Sequence, residues 1–501
     1  MKIIYSLLFL ILSLCNNVSR ANTSEERLAL IGATVISPQL ASPIDNAVVL
    51  IRDGIIESIG PKTTIIDDSY QKIDLKGKWL IPGYIDSHVH FFQSASIFTR
   101  PDNFDFSNIQ SYQVDRNWVH NNLDDTFARY LQSGVTSVVD MGGPLWNFKM
   151  KERANQSLMA PTVSIAGPLI STIDAPKIDT DDPVFQKIQS SQDAIEFVQQ
   201  QIKLKPDLIK FAWVPANGES PKQLFDLFSE AFKLARQQNY PIAVHVQELE
   251  NVKMAIKAGA NILVHSITDQ YLDDEVINLI KQHKVIVMPT LAVENAVRDI
   301  AMNQFKFTAE ESSLGHQQII DSFKLLAEHP DLLSEQTKMI YKYAPYINSS
   351  EEQLNLLSKQ EQNIVKQLAH YFSEQTKLNR TKNLRRLYEE GVTLALGTDA
   401  GNPGVLHGAA IQREMKAWSE AGIPLATILK SATLNSAKVA NLDKIVGSIE
   451  KGKAADLVVL GNNPLLKVSN FSSIKALVKK GHYLNIERIN AYINNLTKDQ
   501  Q

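Results

Sequence analysis

The stretch that organises this chain reads Ile81-Pro82-Gly83-Tyr84-Ile85-Asp86-Ser87-His88-Val89-His90. It is a short apolar run that closes on two histidines separated by one residue. Because alternate side chains of an extended strand point to the same side, His88 and His90 can converge on one metal ion. The alternative is a pair of core or solvent-facing histidines, since so short a motif arises easily by chance.

Three more strand-like runs end on side chains that can bind metals: Ile242-Ala243-Val244-His245, Ile262-Leu263-Val264-His265 and Leu394-Ala395-Leu396-Gly397-Thr398-Asp399. Together with the first two histidines they form a nitrogen and oxygen ligand set that suits zinc and related divalent ions. A catalytic zinc needs three protein ligands and an open position. The set is therefore large enough for at least one catalytic ion.

A lysine lies within another apolar run, Leu208-Ile209-Lys210-Phe211. An exposed lysine is a poor metal ligand at neutral pH, because its unperturbed pKa is about 10.4. Burial favours the neutral amine, which can take up carbon dioxide and become a carbamate able to bridge two ions. A lysine beside a site with a single metal is the alternative.

The composition is that of an ordinary soluble enzyme. Hydrophobic residues make up 44% of the 501 residues and charged residues 21%, close to the average for globular proteins. The formal charge of -3 gives no electrostatic basis for binding nucleic acid or an anionic membrane. We expect a small-molecule substrate and no nucleic acid partner, and a homo-oligomer remains open.

The N-terminus reads as a secretory signal peptide over residues 1–21. Lys2 precedes an apolar run from Ile3 to Leu14, and Ser19-Arg20-Ala21 has the small-x-small pattern of a cleavage site. An uncleaved anchor is the alternative, but the run is short for a membrane crossing. The single cysteine, Cys15, leaves with the signal. We expect a periplasmic or secreted protein without a stable membrane anchor.

Both ends of the mature chain carry short apolar runs with turns, and the Asp53-Gly54 pair indicates a hairpin. Neither end can close a core alone, so we predict one composite β-sandwich from residues 22–78 and 443–501. Residues 79–442 instead show eight apolar runs that alternate with helical segments, beginning with Trp79 to Ile85. This pattern predicts a (β/α)8 barrel, with the candidate ligands meeting at the C-terminal mouth.

One connection in the barrel, residues 291–382, is far longer than a normal loop. Its polar, helix-prone composition predicts a helical cap after strand 7. Such an insertion can cover the barrel mouth and shape a substrate pocket. A solvated decoration or an oligomer contact is an equally weighted alternative.

The sequence resembles the metal-dependent amidohydrolase superfamily, most closely its imidazolonepropionase-like and Xaa-Pro dipeptidase-like branch. The resemblance rests on residues 82–90, on Gly397-Thr398-Asp399-Ala400-Gly401, and on residues 447–460, which read GSIEKGKAADLVVL. It implies a barrel with a terminal β-sandwich. It also implies two zinc ions, one held by His88, His90 and Asp399 and one by His245 and His265, with carbamylated Lys210 between them. Val264-His265-Ser266 departs from the Glu-His-Gly run common in this branch.

The resemblance further implies hydrolysis of an amide-type C–N bond by a metal-activated hydroxide. Asp399 would accept the proton of the attacking water and deliver it to the leaving nitrogen. A dipeptide or an N-acyl amino acid is the expected substrate, and export argues against imidazolonepropionase activity itself. The alternatives are hydrolysis of a lactone, carbamate or organophosphate ester, and a non-catalytic barrel that serves as a binding module.

Overall fold

The computed structural model describes residues 26–178, 180–325 and 333–498. The predicted signal peptide, residues 1–21, lies outside the described residues. In chain order the described strands are β1 (Arg27–Val35), β2 (Ile44–Arg52), β3 (Ile55–Gly60), β4 (Gln71–Asp74), β5 (Trp79–Pro82), β6 (Tyr84–Val89), β7 (Val135–Asp140), β8 (Thr162–Ile165), β9 (Leu169–Ser171), β10 (Phe185–Lys187), β11 (Ile209–Ala212), β12 (Ile242–His245), β13 (Ile262–Val264), β14 (Ile286–Met288), β15 (Leu457–Leu460), β16 (Ile474–Lys479) and β17 (His482–Asn485).

Strands from both chain ends form one hydrogen-bonded sheet in the order β17-β16-β15-β5-β1-β2-β3. Strand β1 is the branch point, because β2 pairs with one edge while β4 and β5 pair in succession with the other. These strands share a separate apolar core that includes Leu30, Val49 and Val459. At the predicted hairpin, Asp53 and Gly54 have φ values of 49° and 77°, as a tight turn between β2 and β3 requires.

The first predicted barrel run, Trp79 to Ile85, is divided between the two parts of the molecule. Strand β5 pairs with β15 in the terminal sheet, and only β6 enters the barrel. The break falls at Gly83, where a Cβ would lie 2.0 Å from Thr136 Oγ1. Glycine therefore lets the chain pass close to β7 as it leaves one sheet and enters the other.

The barrel is closed and its strands are parallel. Strands β6, β7 and β8 form one segment, and β11 to β14 form another. A bridge between Ala166 and Leu208 joins the segments, and bridges from Leu394 to Val287 and from Ala400 to Val89 close the ring. The predicted (β/α)8 fold is thus confirmed, with an irregular eighth strand over residues 394–400. Strands β9 and β10 extend the sheet beside β11.

Helices surround the barrel, and their ends follow ordinary capping rules. Ser190 and Ser220 form capping boxes, and Gly259 ends its helix with a φ of 116°, a conformation that suits glycine. The helices around the barrel are Tyr112–Asn121, Leu123–Gln132, Trp146–Gln156, Ser191–Leu204, Pro221–Gln237, Leu249–Ala258, Asp274–His283, Glu374–Glu389, Ala410–Glu420, Leu425–Lys430 and Ser436–Val439, with Ile486–Lys498 near the C-terminus.

The insertion after β14 is helical and packs on the mouth of the barrel. Its apolar core joins Ile300 and Ile340 to Phe104 and Phe106 of the loop that follows β6. The predicted boundary at Lys382 falls inside helix Glu374–Glu389, which is the helix of the seventh β/α unit because Leu384 and Leu387 pack in the barrel core. The described cap helices are Leu291–Ala301, Ala309–Leu314, Gln317–Ser322, Glu335–Tyr343, Glu351–Leu354 and Lys359–Phe372.

Among the residues that the structure describes, no helix has both the length and the apolar character needed to cross a membrane.

Candidate active site

Three of the predicted ligands meet at the C-terminal mouth of the barrel. The Nε2 atoms of His88 and His90 are 3.2 Å apart, and each lies 3.3 Å from Oδ1 of Asp399. One donor atom from each of the three residues lies within 4.8 Å of the others. Two imidazoles and a carboxylate at this spacing fit a single divalent ion.

His245, His265 and Lys210 extend this cluster. His265 Nε2 lies 4.0 Å from Asp399 Oδ2, and the ring centroids of His245 and His265 are 4.3 Å apart. Lys210 and all of these residues line one cavity. Within the described ranges, the buried Lys210 Nζ has no hydrogen-bond partner. The structure therefore brings all six candidates together at one cavity, and their nitrogen and oxygen donors are of the kinds that divalent ions bind.

Two of the site residues have a backbone conformation that is unusual outside glycine. His265 follows β13 with a φ of 78°, and Asp399 ends the irregular eighth strand with a φ of 60°. Left-handed residues cost free energy and persist where the surroundings hold them, often at functional sites. Here a hydrogen bond of 2.7 Å from Asp399 N to His88 O holds the eighth strand against β6.

Hydrogen bonds behind the site orient two of the histidines. His90 Nδ1 lies 2.7 Å from Gly142 O, and His265 Nδ1 lies 2.7 Å from Thr290 Oγ1. The carbonyl can only accept, so His90 Nδ1 must carry the proton and leave the Nε2 lone pair free. Such partners fix the tautomer and the ring orientation of a metal-binding histidine.

Buried carboxylates support the backbone below the site. Asp86 accepts hydrogen bonds from Thr398 N at 3.0 Å and Thr398 Oγ1 at 2.6 Å, which ties β6 to the eighth strand. Asp140 Oδ1 accepts from Gly142 N at 3.0 Å and so shapes the turn whose carbonyl meets His90. Burial raises the pKa of Asp86 and of Asp140 to about 7 in each case.

Burial also sets the protonation states that metal binding needs. It lowers the pKa of His88 well below the usual value and that of His265 to about 3. It lowers the pKa of Lys210 to about 7. Burial alone would raise the pKa of Asp399, but the His88 and His90 imidazoles hold it well below the ordinary range. Asp399 is therefore an ionised carboxylate.

The six residues form the base of a cavity of about 500 Å³. The cap supplies a large part of its wall, so the insertion covers the mouth of the barrel. Most of the wall is apolar, with two arginine–carboxylate pairs set into it, Arg100 with Asp102 and Arg380 with Glu294. The apolar lining residues include Phe104, Leu169, Ile173, Phe185, Ala212, Val214, Val293, Val297, Ile340 and Phe372.

Some polar and aromatic side chains of the barrel have structural roles. His407 lies 2.8 Å from both Tyr130 Oη and Gln93 O, and its ring stacks on Phe91. Tyr84 and Trp213 are fully buried in the barrel core and do not line the cavity.

A sequence model of the Amidohydrolase family matches residues 79–484. The chain belongs to the amidohydrolase family. Members of this family are generally metal-dependent, in agreement with the His88, His90 and Asp399 cluster. The resemblance stated from the sequence motifs is confirmed.

Individual relatives of this amidohydrolase are more distant. A 5-methylthioadenosine/S-adenosylhomocysteine deaminase of Thermoanaerobacter pseudethanolicus is 37% identical over 82 residues, 15% of this chain and 19% of the relative. An imidazolonepropionase of Treponema denticola is 41% identical over 76 residues, 15% of this chain and 18% of the relative. Both matches thus span about a fifth of the relative's length.

A solved structure covers far more of this amidohydrolase. It is a Xaa-Pro dipeptidase with methionine bound in its active site, and it matches with a TM-score of 0.65 over 92% of this chain and 100% of that one. Its sequence identity is 22%, so the likeness shows the fold. Family and fold together support an enzyme that acts on C–N bonds.

Several site residues of this amidohydrolase have no role assigned from its sequence. Asp86 lies within the opening motif, two residues before His88, and that position is the signal that points to it. Thr290 lies two residues beyond the end of β14, and several of the predicted ligands also lie at strand ends. Glu294 and Arg380 lie in and beside the cap, where no local pattern reports that they face the cavity.

Proposed function

We propose that this amidohydrolase cleaves an amide-type C–N bond in a dipeptide or an N-acyl amino acid. The observation that carries the proposal is the convergence of six metal-compatible side chains at the base of one cavity with an apolar wall. Prolidase-type structures share the fold, which is consistent with this substrate class.

The proposed cofactor is a pair of divalent ions, most suitably zinc. His88, His90 and Asp399 would hold one ion, His245 and His265 the other, with carbamylated Lys210 between them. Bound ions of this kind supply Lewis acidity, which lowers the pKa of water and polarises a carbonyl group. The neutral amine that burial favours at Lys210 can add to carbon dioxide and release one proton to form the carbamate.

In the proposed hydrolysis, residues of the chain would have different roles. Asp399 is ionised and its Oδ1 lies between two imidazoles, so it can take a proton from the attacking water and pass it to the leaving nitrogen as the C–N bond breaks. Gly142 O and Thr290 Oγ1 keep His90 and His265 in position. The apolar wall excludes water and receives a hydrophobic side chain or acyl group.

A matched set of substrates tests the proposal. The mature protein, reconstituted with zinc, is assayed on dipeptides, N-acyl amino acids and lactones, with Asp399→Asn and the metal-free protein as controls. We expect hydrolysis of the amides that disappears in both controls. Activity on lactones alone would favour the ester-cleaving alternative. Failure to retain any divalent ion, together with silence on every substrate, would favour the binding module.

We also propose that the protein is exported to the periplasm or secreted after cleavage behind Ala21. The support is the sequence pattern of residues 1–21. Expression of the full chain, followed by cell fractionation and N-terminal sequencing, tests this. The expected product is a soluble exported protein that begins at Asn22, and a cytoplasmic protein that begins at Met1 would refute the proposal.

A further inference from the structure

Arg380 is a buried cation whose hydrogen-bonding capacity is largely unused. It lies in helix Glu374–Glu389, lines the cavity of the candidate active site, and is 4% exposed. Its Nη1 donates to Glu294 Oε2 at 3.3 Å. Within residues 26–178, 180–325 and 333–498, neither Nε nor Nη2 has a hydrogen-bond partner. Leaving buried donors of a charged group without acceptors costs free energy. A further hydrogen-bond acceptor at this guanidinium would therefore be stabilising.

Glu294 holds Arg380 in a fixed place relative to the metal-binding residues. Its Oε1 accepts from Ser266 N at 3.1 Å and from Gln247 Nε2 at 3.4 Å. Ser266 directly follows His265, so the carboxylate is tied to the end of the strand that carries this candidate ligand. The Arg380 guanidinium is therefore anchored to the same part of the barrel mouth as His265.

The second arginine of the cavity differs in this respect. Arg100 donates through Nε and Nη2 to both carboxylate oxygens of Asp102, at 2.8 and 2.6 Å, and through Nη1 to Asn402 Oδ1 at 3.1 Å. All three of its nitrogens are thus engaged. Of these two arginines, Arg380 alone has nitrogens without an acceptor in the described part of the chain.

We propose that Arg380 binds the free carboxylate of the substrate, on the amino-acid side of the scissile amide. This inference rests on the proposed function. A guanidinium offers a planar fork of donors that matches a carboxylate with two parallel hydrogen bonds. The apolar wall then receives the other part of the molecule. The substrate class narrows to amides that combine a free carboxylate with a hydrophobic acyl or aminoacyl group.

A buried water is the competing partner for Arg380. The side chain also borders a second cavity of about 10 Å³ between helix Glu374–Glu389 and the barrel strands, which is about the size needed for one water. If Arg380 only binds such a water, its role is structural. The two roles predict different substrate preferences.

The test compares an N-acyl amino acid with its carboxamide, in which the carboxylate is replaced and the scissile bond is unchanged. The wild-type enzyme should prefer the acid in kcat/KM by about 10- to 100-fold, the value of hydrogen bonds to a charged group. Arg380→Met should reduce kcat/KM for the acid much more than for the carboxamide, mainly through KM. Arg298→Met is the matched control, because Arg298 is a buried cap arginine bonded to Phe372 O and Glu374 and does not line the cavity.

The outcomes separate this inference from the proposed function. Absence of hydrolysis of both substrates by the metal-loaded wild type would remove the proposed function itself. Equal hydrolysis of acid and carboxamide by the wild type would overturn the role of Arg380 and leave the proposed function standing. A loss in Arg380→Met that is equal for both substrates, as expected for Arg298→Met, would also overturn it.

Product inhibition of the wild-type enzyme is a second test of carboxylate binding. It does not depend on correct folding of the Arg380→Met variant. The free amino acid product should inhibit competitively at a lower concentration than the corresponding amino acid amide. Equal inhibition by the two compounds would contradict binding of a carboxylate at Arg380.

Discussion

The base and the wall of the cavity are built in different ways. At the base, the candidate ligands stand at the ends of neighbouring barrel strands, and their positions follow from backbone pairing and from partners such as Asp86 and Gly142. In the wall, side chains come from long loops and from the cap, and they are placed by helix packing. From this difference we expect the base to determine the chemistry and the wall to determine which substrates bind.

Three residues connect the two regions at the start of the cap. Thr290 joins His265 to the first cap helix, Leu291–Ala301, and has a φ of 51°. Glu294 links that helix to Ser266 and Arg380. Glu414, from a barrel helix, accepts hydrogen bonds from Leu291 N and Ala292 N at 3.0 and 2.5 Å. Substitutions on either side of these three residues can test whether the base and the wall have different roles.

The largest effect is expected at the base, for Asp399→Asn. The amide cannot take up a proton from water, so kcat should fall by about 100- to 10,000-fold, the usual contribution of a general base. Thermal unfolding should change little, since the substitution keeps the shape of the side chain. Retention of most of the wild-type kcat would remove Asp399 from proton transfer.

A smaller effect is expected behind the base, for Thr290→Val. Valine keeps the β-branched shape but loses the hydroxyl that contacts His265 Nδ1, so metal affinity should fall by about 10- to 100-fold. Competition with a chelator measures this affinity. Thr433→Val is the control, because it removes a buried hydroxyl that donates to Leu429 O and does not line the cavity. Equal metal affinities in the two variants would show that Thr290 does not orient His265.

In the wall, Ile340→Ala should act on substrate binding and leave the metal in place. Removing buried apolar area from the cavity should raise KM for hydrophobic substrates by about tenfold, with less change in kcat and none in metal content. Ile319→Ala is the control, since Ile319 is a buried cap residue that packs outside the cavity. If both variants raised KM equally, general loosening of the cap would be the cause.

The smallest effect on turnover is expected at Glu414, which anchors the cap. Glu414→Ala leaves the N–H groups of Leu291 and Ala292 without an acceptor, and Trp418 Nε1 loses its 2.7 Å bond. The free energy of unfolding should fall by about 1–3 kcal/mol, measured by urea denaturation. Glu414→Gln keeps one acceptor and should lose less. Equal stability of both variants and wild type would exclude an anchoring role.

Glu414 should also make the free energy of unfolding depend on pH, and the direction of this dependence follows from its pKa. Burial raises the pKa of Glu414 from 4.5 to about 8, so the folded state holds a proton that the unfolded chain has lost. The stabilising contribution is complete below about pH 4.5 and disappears as the pH rises through about 8. The stability of Glu414→Gln should therefore fall less than that of the wild type between pH 6 and 9. Parallel stability curves would contradict a raised pKa.

Much of the base of the cavity was predictable from single strands. His88 and His90 are two residues apart on one strand, and His245 and His265 each stand at a strand end, so local periodicity and parallel pairing bring them to the same mouth. The division at Gly83 was not predictable in this way. Trp79 to Ile85 reads as one continuous apolar run, and its division between two sheets depends on close contact with Thr136 and on pairing with β15.

The sequence by itself determined the barrel, the terminal strands and the clustering of six metal-compatible side chains, because each depends on short periodic patterns and on the rule that parallel strands share one mouth. Only the tertiary structure decided what surrounds them. The bond of Arg380 to Glu294 and the contact of Thr290 with His265 join residues that are far apart in the chain, and the same packing leaves two Arg380 nitrogens without an acceptor in the described part of the chain. Their meeting depends on how the cap packs on the barrel, and packing between distant helices leaves no local pattern in a sequence.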